Sequence, residues 1–246
     1  MATLLSSLET QARRHLIEST ASFWSSAELI DHMNNAIKDL WRSIVDLKQE
    51  HFLVVDATNV TLSTDTATLS GLPEDIHKVY LIEPRDVSST SSNKNLAFEP
   101  LDWNHPKFRS ARTQSDISPS NAVIYYAITG AGAPVDYDSS TPSGVNITIR
   151  VAPQVNAAVN LTLSYVPTLA AVASSEEHPI PGEADSAIIA WTVAYARAKE
   201  REDRIPDPGW LMVYKTEKEH LLQSLGLRQY QELQYVDALF EEFWGG

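Results

Sequence analysis

The side chains best suited to chemistry in this sequence of 246 residues are seven histidines and two short polar motifs. The histidines form neither an HExxH motif nor another paired spacing, so they do not predict a zinc site. Ser91 and Lys94 match the spacing of a serine nucleophile and its lysine base, but the companion motifs are absent. Asp136 and Asp138 flank Tyr137 in a loop, where a solvated turn is a simpler interpretation than a weak cation site. The sequence therefore predicts a non-enzymatic protein without a metal or a cofactor.

The charge balance is strongly acidic, with 32 aspartates and glutamates against 19 lysines and arginines and a net charge of −13. Residues 176–246 alone carry fourteen acidic and seven basic side chains. Tight binding of nucleic acid depends on lysines and arginines that displace counterions from phosphates. The composition therefore argues against a DNA-binding protein, although it is compatible with DNA that passes nearby. We expect no disulfide, no membrane-spanning run and no signal peptide.

The last twelve residues combine large aromatic side chains with acidic ones, although a chain end is commonly polar and frayed. One interpretation is a final helix that packs on the core of its own chain. The other is an anchor at residues 227–246 that inserts into another protein, because buried aromatic side chains dominate interface energies. The predicted anchor residues are Tyr235, Leu239, Phe240, Phe243 and Trp244.

The densest basic cluster lies in an irregular excursion at residues 98–120. Lys107, Arg109 and Arg112 fall within six residues of one another. Three such bases in a row of loop residues are most simply a solvated surface. They could instead dock on an acidic neighbour, including a second copy of this acidic chain. We therefore treat them as a predicted inter-subunit basic loop.

A long amphipathic helix at residues 27–48 is the strongest structural signal in the sequence. Its apolar residues recur at steps of three and four, and Ser25 with Glu28 fits a capping box at its start. So wide a stripe needs other helices to cover it. The candidates are residues 3–18, residues 182–204, residues 210–225, which end before a break at Gly226, and a last segment at 227–244. The predicted bundle core consists of Trp24, Leu29, Met33, Ile37, Leu40, Trp41, Ile188, Trp191 and Tyr195.

Between these helices the apolar period changes to the alternation that is typical of β-strands. Residues 145–151 and 159–165 alternate most clearly, and we predict that they pair as antiparallel neighbours. Shorter strands are predicted at residues 51–58, 59–69, 76–82 and 121–129.

The order of these elements predicts an α+β fold with one interruption. Residues 1–50 and 180–246 form a helical bundle, and residues 51–179 form an inserted, antiparallel β-rich domain. Two sequential domains are the alternative, but they would leave the long helix with too little partner surface. We therefore prefer the insertion.

Five segments of the chain carry a resemblance to a known protein family. They are FWSSAELIDHMNNAIKDLW at 23–41, GLPEDIHKVYLIE at 71–83, NITIRVAP at 146–153, NLTLSYVP at 160–167 and the turn IPGEAD at 180–185. In pattern and order they resemble the head-to-tail adaptor proteins of tailed bacteriophages, also called connector or head-completion proteins. The long β-rich insertion is similar to that of the gatekeeper versions of this family.

The resemblance implies a structural protein at the head–tail junction of the virion, assembled in the host cytoplasm. Such adaptors form a dodecameric ring under the portal protein and continue the DNA channel toward the tail, without specific DNA binding and without membrane contact. The C-terminal segment would dock on the portal protein, a role that falls on the predicted anchor residues. The β-rich insertion would receive the next tail component, such as a nozzle, a stopper or a tail tube.

Two other functions stay open at this point. A tail-tube or tail-completion component would use the same kind of self-association. A carbohydrate-binding β module on a helical oligomerisation stalk would use Trp103, Tyr125 and Tyr126 as a platform on which sugar rings stack.

Overall fold

The computed structural model of the chain describes residues 3–18, 23–47, 49–85, 96–120, 122–130, 147–201 and 204–244, with the backbone alone for residues 49, 56–59 and 227–244. Within these ranges the helices are α1 (Leu5–His15), α2 (Ser26–Leu47), α3 (Pro106–Ala111), α4 (Asp185–Arg197) and α5 (Pro208–Trp244), with short 3₁₀ turns at Gln49–Phe52 and Gly182–Ala184. The strands are β1 (Val54–Leu62), β2 (Leu69–Ser70), β3 (Ile76–Pro84), β4 (Ala97–Pro100), β5 (Val123–Thr129), β6 (Thr148–Ala152) and β7 (Val159–Pro167). The predicted α+β class is confirmed.

The chain divides into two compact units, a helical unit at residues 1–51 and 169–246 and a β-rich unit at residues 52–168. Residues 169–179, which the hydrophobic pattern placed in the β-rich domain, belong to the helical unit. The reason is backbone bonding to the start of α1. The amide of Leu5 donates to the carbonyl of Glu176 at 3.1 Å, and the amide of Ser6 donates to the carbonyl of Ser174 at 3.0 Å.

Helix α4 lies at the centre of the helical unit and packs against α1, α2 and α5. Most of its residues are buried, and four of the buried ones are alanines, which let neighbouring helices approach closely. Helix α2 supplies the wide apolar stripe that its sequence predicts, and the Ser25 hydroxyl accepts from the Glu28 amide at 3.2 Å. The Glu28 carboxylate, predicted to complete a capping box, lies 2.9 Å from Lys199 Nζ.

Helix α4 ends at Arg197, seven residues before the predicted end, because the next two amides bind carbonyls three residues back and close the helix with tight turns. The following helix begins where Asp207 caps it. The Asp207 Oδ1 accepts from the amides of Gly209 at 2.9 Å and Trp210 at 3.2 Å. An aspartate in this position satisfies amides that the first helical turn leaves without partners.

The predicted break at Gly226 is wrong, because α5 continues through it to Trp244. Glycine keeps its backbone N–H, so the helical hydrogen bonds persist, at a cost of about 1 kcal/mol relative to alanine. The helix has 37 residues and is therefore roughly 55 Å long at about 1.5 Å per residue.

The β-rich unit contains two sheets. The four-stranded sheet has the order β2-β1-β7-β3 and is antiparallel throughout, and the three-stranded sheet has the order β4-β5-β6 with a parallel β4–β5 pair. Apolar side chains from both sheets form one core, which includes Val60, Leu62, Ile124, Ile149 and Leu163. The predicted strands at 51–58 and 59–69 are in fact one strand, β1, with a register irregularity between Asp56 and Val60, followed by the two-residue β2.

The predicted antiparallel pair at 145–151 and 159–165 is wrong, because β6 and β7 belong to different sheets. The chain between them does not turn back as a hairpin, and its backbone groups bind other segments. The carbonyl of Val155 accepts from Asp65 at 2.9 Å, and the amide of Asn156 donates to Ile117 at 2.9 Å. Strand β7 therefore becomes the interior strand between β1 and β3, which matches its burial on both faces.

Candidate assembly surfaces

The residues predicted for the bundle core lie in the helical unit. Seven are buried, namely Trp24, Leu29, Met33, Ile37, Leu40, Trp41 and Ile188. Trp191 and Tyr195 are half-buried and stack on each other with ring centroids 4.5 Å apart. Trp24 joins two helices, because its Nε1 donates to the carbonyl of Ala196 on α4 at 2.8 Å.

A surface groove of about 330 Å³ runs beside the stacked Trp191 and Tyr195. Helix α2 contributes His32, Lys38 and Arg42 to its lining. Burial lowers the pKa of His32, and the nearby acidic side chains of α2 oppose that shift only in part. His32 is therefore mainly neutral at pH 7, and the charged side chains that line the groove are Lys38, Asp39 and Arg42.

Asp39 ties α2 to the first half of α5. Its carboxylate accepts from Lys218 Nζ at 2.6 Å and from the hydroxyl of Tyr214. Burial acts to raise the pKa of Asp39, but the hydrogen bonds from Lys218 and Tyr214 outweigh it and the pKa lies below its ordinary value. Burial and the same carboxylate raise the pKa of Tyr214 far above its usual range. The contact therefore persists across neutral pH.

The predicted anchor lies at the C-terminal end of α5. The backbone there is helical as far as Trp244, but the side chains of residues 227–246 lie outside the described part of the chain. The last described buried side chains of α5 are Leu221 and Leu225, which pack within the helical unit. The roles of Tyr235, Leu239, Phe240, Phe243 and Trp244 stay predictions.

The predicted basic loop is a short helix. Lys107 and Arg109 lie on α3 and Arg112 at its C-terminal cap, and all three side chains are exposed. The Cζ atom of Arg112 lies 4.2 Å from the ring centroid of Trp103, and that of Arg150 lies 5.2 Å from it. Sequence reasoning missed Arg150, because it comes from β6, far along the chain. Its outward position in an alternating strand was the only available signal.

A cavity of about 510 Å³ opens beside Trp103 in the β-rich unit. Tyr80, Trp103 and Tyr126 line it together with Asp102. The sugar platform predicted from Trp103, Tyr125 and Tyr126 does not form as a single surface. Tyr125 packs on the cluster around Phe108 rather than in the cavity, because successive residues of a strand point to opposite faces.

The residues weighed above as a possible nucleophile, base or cation site are not covered by the structure. Ser91, Lys94, Asp136 and Asp138 lie outside the described residues. Among the residues that are described, no group of three or more histidines, aspartates or glutamates is placed to hold a metal ion. In the same part of the chain, none of the helices combines the length and the apolar character that crossing a membrane requires.

Comparison with known proteins identifies a family. The family model described as SU10 adaptor protein matches residues 3–235, which include every described strand and the helices from α1 into α5. The match ends at Tyr235, so the other four predicted anchor residues lie beyond it. No curated protein matches the chain.

Proposed function

This chain belongs to the SU10 adaptor protein family, and on that premise we propose that it forms a dodecameric ring between the portal protein and the tail. As a bacteriophage adaptor it is a component of the virion that interacts with other head and tail proteins. In the proposed assembly the ring continues the DNA channel, the C-terminal end of α5 binds the portal protein, and the β-rich unit receives the next tail component. The match to one adaptor family over residues 3–235 is the observation that carries the proposal.

A subunit of such a ring needs a rigid platform, and the long-range contacts of the helical unit support that role. Asn34 on α2 makes two hydrogen bonds to the backbone of Val172. Its Oδ1 accepts from the amide at 2.8 Å, and its Nδ2 donates to the carbonyl at 3.1 Å. Trp24 reaches α4, and Asp39 reaches α5. Because these contacts join segments that are distant in sequence, they hold the helices in one arrangement and can present a constant face to neighbours.

The length of α5 supports a portal contact at its end. Its first half packs in the helical unit, and nineteen further helical residues follow Leu225, roughly 28 Å at about 1.5 Å per residue. Positions 235, 239 and 243 are four residues apart, so a helical backbone brings them to one face. Burial of large apolar side chains in a partner groove contributes roughly 1.5–3 kcal/mol each. A few such side chains are enough to fix each subunit on the portal ring, and the symmetry of the ring multiplies the effect.

The acidic charge supports a channel that DNA crosses without binding. A net charge of −13 per subunit repels the phosphates of DNA, whereas a channel surface that binds DNA would need exposed lysines and arginines. We therefore expect acidic or neutral side chains to line the lumen of the ring. A cryo-electron microscopy map that shows a lumen lined by lysine and arginine would contradict this part of the proposal.

The portal contact can be tested by substitution in the full-length chain. Replacement of Phe240, Phe243 and Trp244 by alanine should weaken binding to the portal ring at least roughly thirtyfold, since truncation of an interface hot spot costs about 2 kcal/mol or more. The matched control replaces Glu241 and Glu242 by glutamine in the same segment, and it should leave the affinity within about threefold of the original. Surface plasmon resonance on immobilised portal rings gives both values. Equal affinities of the alanine variant and the original chain would refute the anchor.

The same preparations separate the other functions. Self-assembly into tubes or rings that ignore the portal protein would favour a tail-tube or tail-completion component. Retention on a glycan array that is lost in Trp103→Ala would favour the carbohydrate-binding module.

A further inference from the structure

Two arginines lie against one tryptophan in the β-rich unit, and two further exposed cations lie on the adjoining helix α3. Lys107 and Arg109 come from α3, Arg112 from its cap and Arg150 from β6, and the guanidinium groups of the last two lie 4.2 and 5.2 Å from the ring centroid of Trp103. We name these four cations and Trp103 the basic face. All four cations are exposed, so a partner can reach them.

The surrounding structure holds the basic face in place. The ring of Trp103 lies 5.5 Å from that of Phe108, a fully buried residue of α3. The amide of Lys107 donates to Nδ1 of His105 at 3.2 Å, which caps the helix. The register of β5 with β6 pairs Arg150 with Ala127, whose side chain belongs to the same buried cluster as Phe108. The cations therefore stand on a preformed scaffold, which reduces the ordering entropy that binding must overcome.

Across the part of the chain that the structure describes, none of the four cations of the basic face forms an ion pair with a carboxylate. Arg109 and Arg112 are three residues apart at a helix end, where like charges repel. Two guanidinium groups also share one indole ring, so an anion between or beside them would relieve their repulsion. Such a cluster stands out in a chain of net charge −13.

We propose that the basic face docks on an acidic surface of a second copy of this chain. Every copy carries an excess of carboxylates, with fourteen acidic against seven basic side chains at residues 176–246 alone. Guanidinium groups bind carboxylates through paired, charge-assisted hydrogen bonds, and the indole ring adds an apolar contact. DNA is disfavoured as the partner, because the rest of the same chain repels it. The proposal deepens the proposed ring, on which it rests, by naming one contact between neighbouring subunits.

The contact joins a basic patch on one copy to a different, acidic patch on the next. Such a heterologous interface can close into a ring, whereas a contact of one patch with itself would give a dimer. The basic face therefore supplies one side of the interface that the ring needs.

Carbodiimide crosslinking tests the contact directly, since it couples a lysine amine to a carboxylate that touches it. Full-length chains labelled with ¹⁴N and ¹⁵N are mixed and crosslinked, alone at high concentration and bound to portal rings. We expect isotope-mixed crosslinks between Lys107 and carboxylates of the other copy. Their yield should fall roughly tenfold in the variant Arg112→Gln/Arg150→Gln, and also in about 0.5 M salt, because exposed ion pairs are screened.

The matched control is Lys78→Gln/Arg85→Gln, which removes two exposed cations from the same unit and should leave the yield unchanged. Circular dichroism melting of both variants establishes that they fold. The absence of isotope-mixed crosslinks from Lys107 in both preparations overturns the proposal. A duplex DNA fragment that shields Lys107 from crosslinking, and that no longer binds the Arg112→Gln/Arg150→Gln variant, also overturns it. Portal binding that survives removal of residues 235–246, with the Lys107 crosslinks intact, would refute the portal anchor and leave this contact standing.

Discussion

The buried guanidinium of Arg13 binds residues of α1 and residues at the start of α2. Its removal should destabilise the helical unit strongly. Its atoms lie 2.8 Å from a carboxylate oxygen of Glu9 and 2.9 Å from one of Glu18. It also donates to the carbonyl of Trp24 at 3.1 Å and to the hydroxyl of Ser26 at 3.3 Å. The side chains of Arg13 and Glu18 are only 8% and 9% exposed, so water cannot replace these contacts.

Substitution Arg13→Met keeps much of the side-chain length and removes the charge. Breaking a buried ion pair by removing one partner costs about 3–5 kcal/mol, because the other charge stays buried without compensation. The lower end applies here, since Glu18 still accepts from the backbone amide of Phe23 at 2.5 Å. With a urea slope of about 2 kcal/mol per molar, a loss of about 3 kcal/mol moves the unfolding midpoint down by about 1.5 M.

Tryptophan fluorescence during urea unfolding measures this loss. Five of the six tryptophans lie in the helical unit and only Trp103 lies in the β-rich unit, so the signal follows mainly the unit that Arg13 stabilises. The matched control is Arg14→Met, which removes an exposed arginine from the same helix and should change the stability by less than about 0.5 kcal/mol. A double-mutant cycle with Glu18→Gln should give a coupling energy of at least about 1 kcal/mol. Equal midpoints for Arg13→Met and Arg14→Met would refute the reasoning.

Three further predictions concern the helical unit. Asp39→Asn weakens the contacts to Lys218 and Tyr214 and should lower the free energy of unfolding by about 1 kcal/mol at pH 7. Because the pKa of Asp39 in the folded chain lies below its ordinary 3.8, the stability difference between the variant and the original chain should disappear as the pH falls through that lowered pKa. Urea titrations at several pH values measure this difference. Gly226→Ala meets no atom within 4 Å and should raise the thermal stability of α5 by about 0.5–1 kcal/mol, and a loss of helicity by circular dichroism would contradict the continuous helix. Trp24→Phe keeps the buried ring but removes its donor to a carbonyl of α4, so hydrogen exchange there should speed up by an amount equivalent to about 1 kcal/mol, and unchanged exchange would show that the bond contributes nothing.

The helices of this chain could be predicted from the sequence because their signals are local. The stripe of α2 and its hydroxyl cap lie within one stretch, and the structure shows both. The end of α4 and the continuity of α5 could not be predicted in the same way. A helix passes through Gly226 only if the helical preference of the flanking residues outweighs the cost of about 1 kcal/mol that glycine imposes. Composition alone does not decide between these two free energies.

The sheet pairings depend on contacts between distant residues, which periodicity does not encode. The alternation of apolar and polar residues in β6 and β7 correctly indicates two strands, but it does not determine which strand each one pairs with. For the same reason the sequence places Lys107, Arg109 and Arg112 together but cannot bring Arg150 to Trp103, because that meeting follows from the pairing of β5 with β6. The family resemblance, by contrast, depends on local segments in a fixed order, and it agrees with the family that matches the chain.

The mass of the protein in solution, measured alone and with the portal ring, tests the central claim most directly. Native mass spectrometry of the full chain mixed with portal rings should show a complex with twelve added copies of this subunit. The same mixture with a chain that lacks residues 235–246 should show portal rings alone. A small oligomer whose mass does not change when portal rings are added would contradict the adaptor ring. Undiminished binding to the portal rings by the chain that lacks residues 235–246 would contradict the C-terminal anchor.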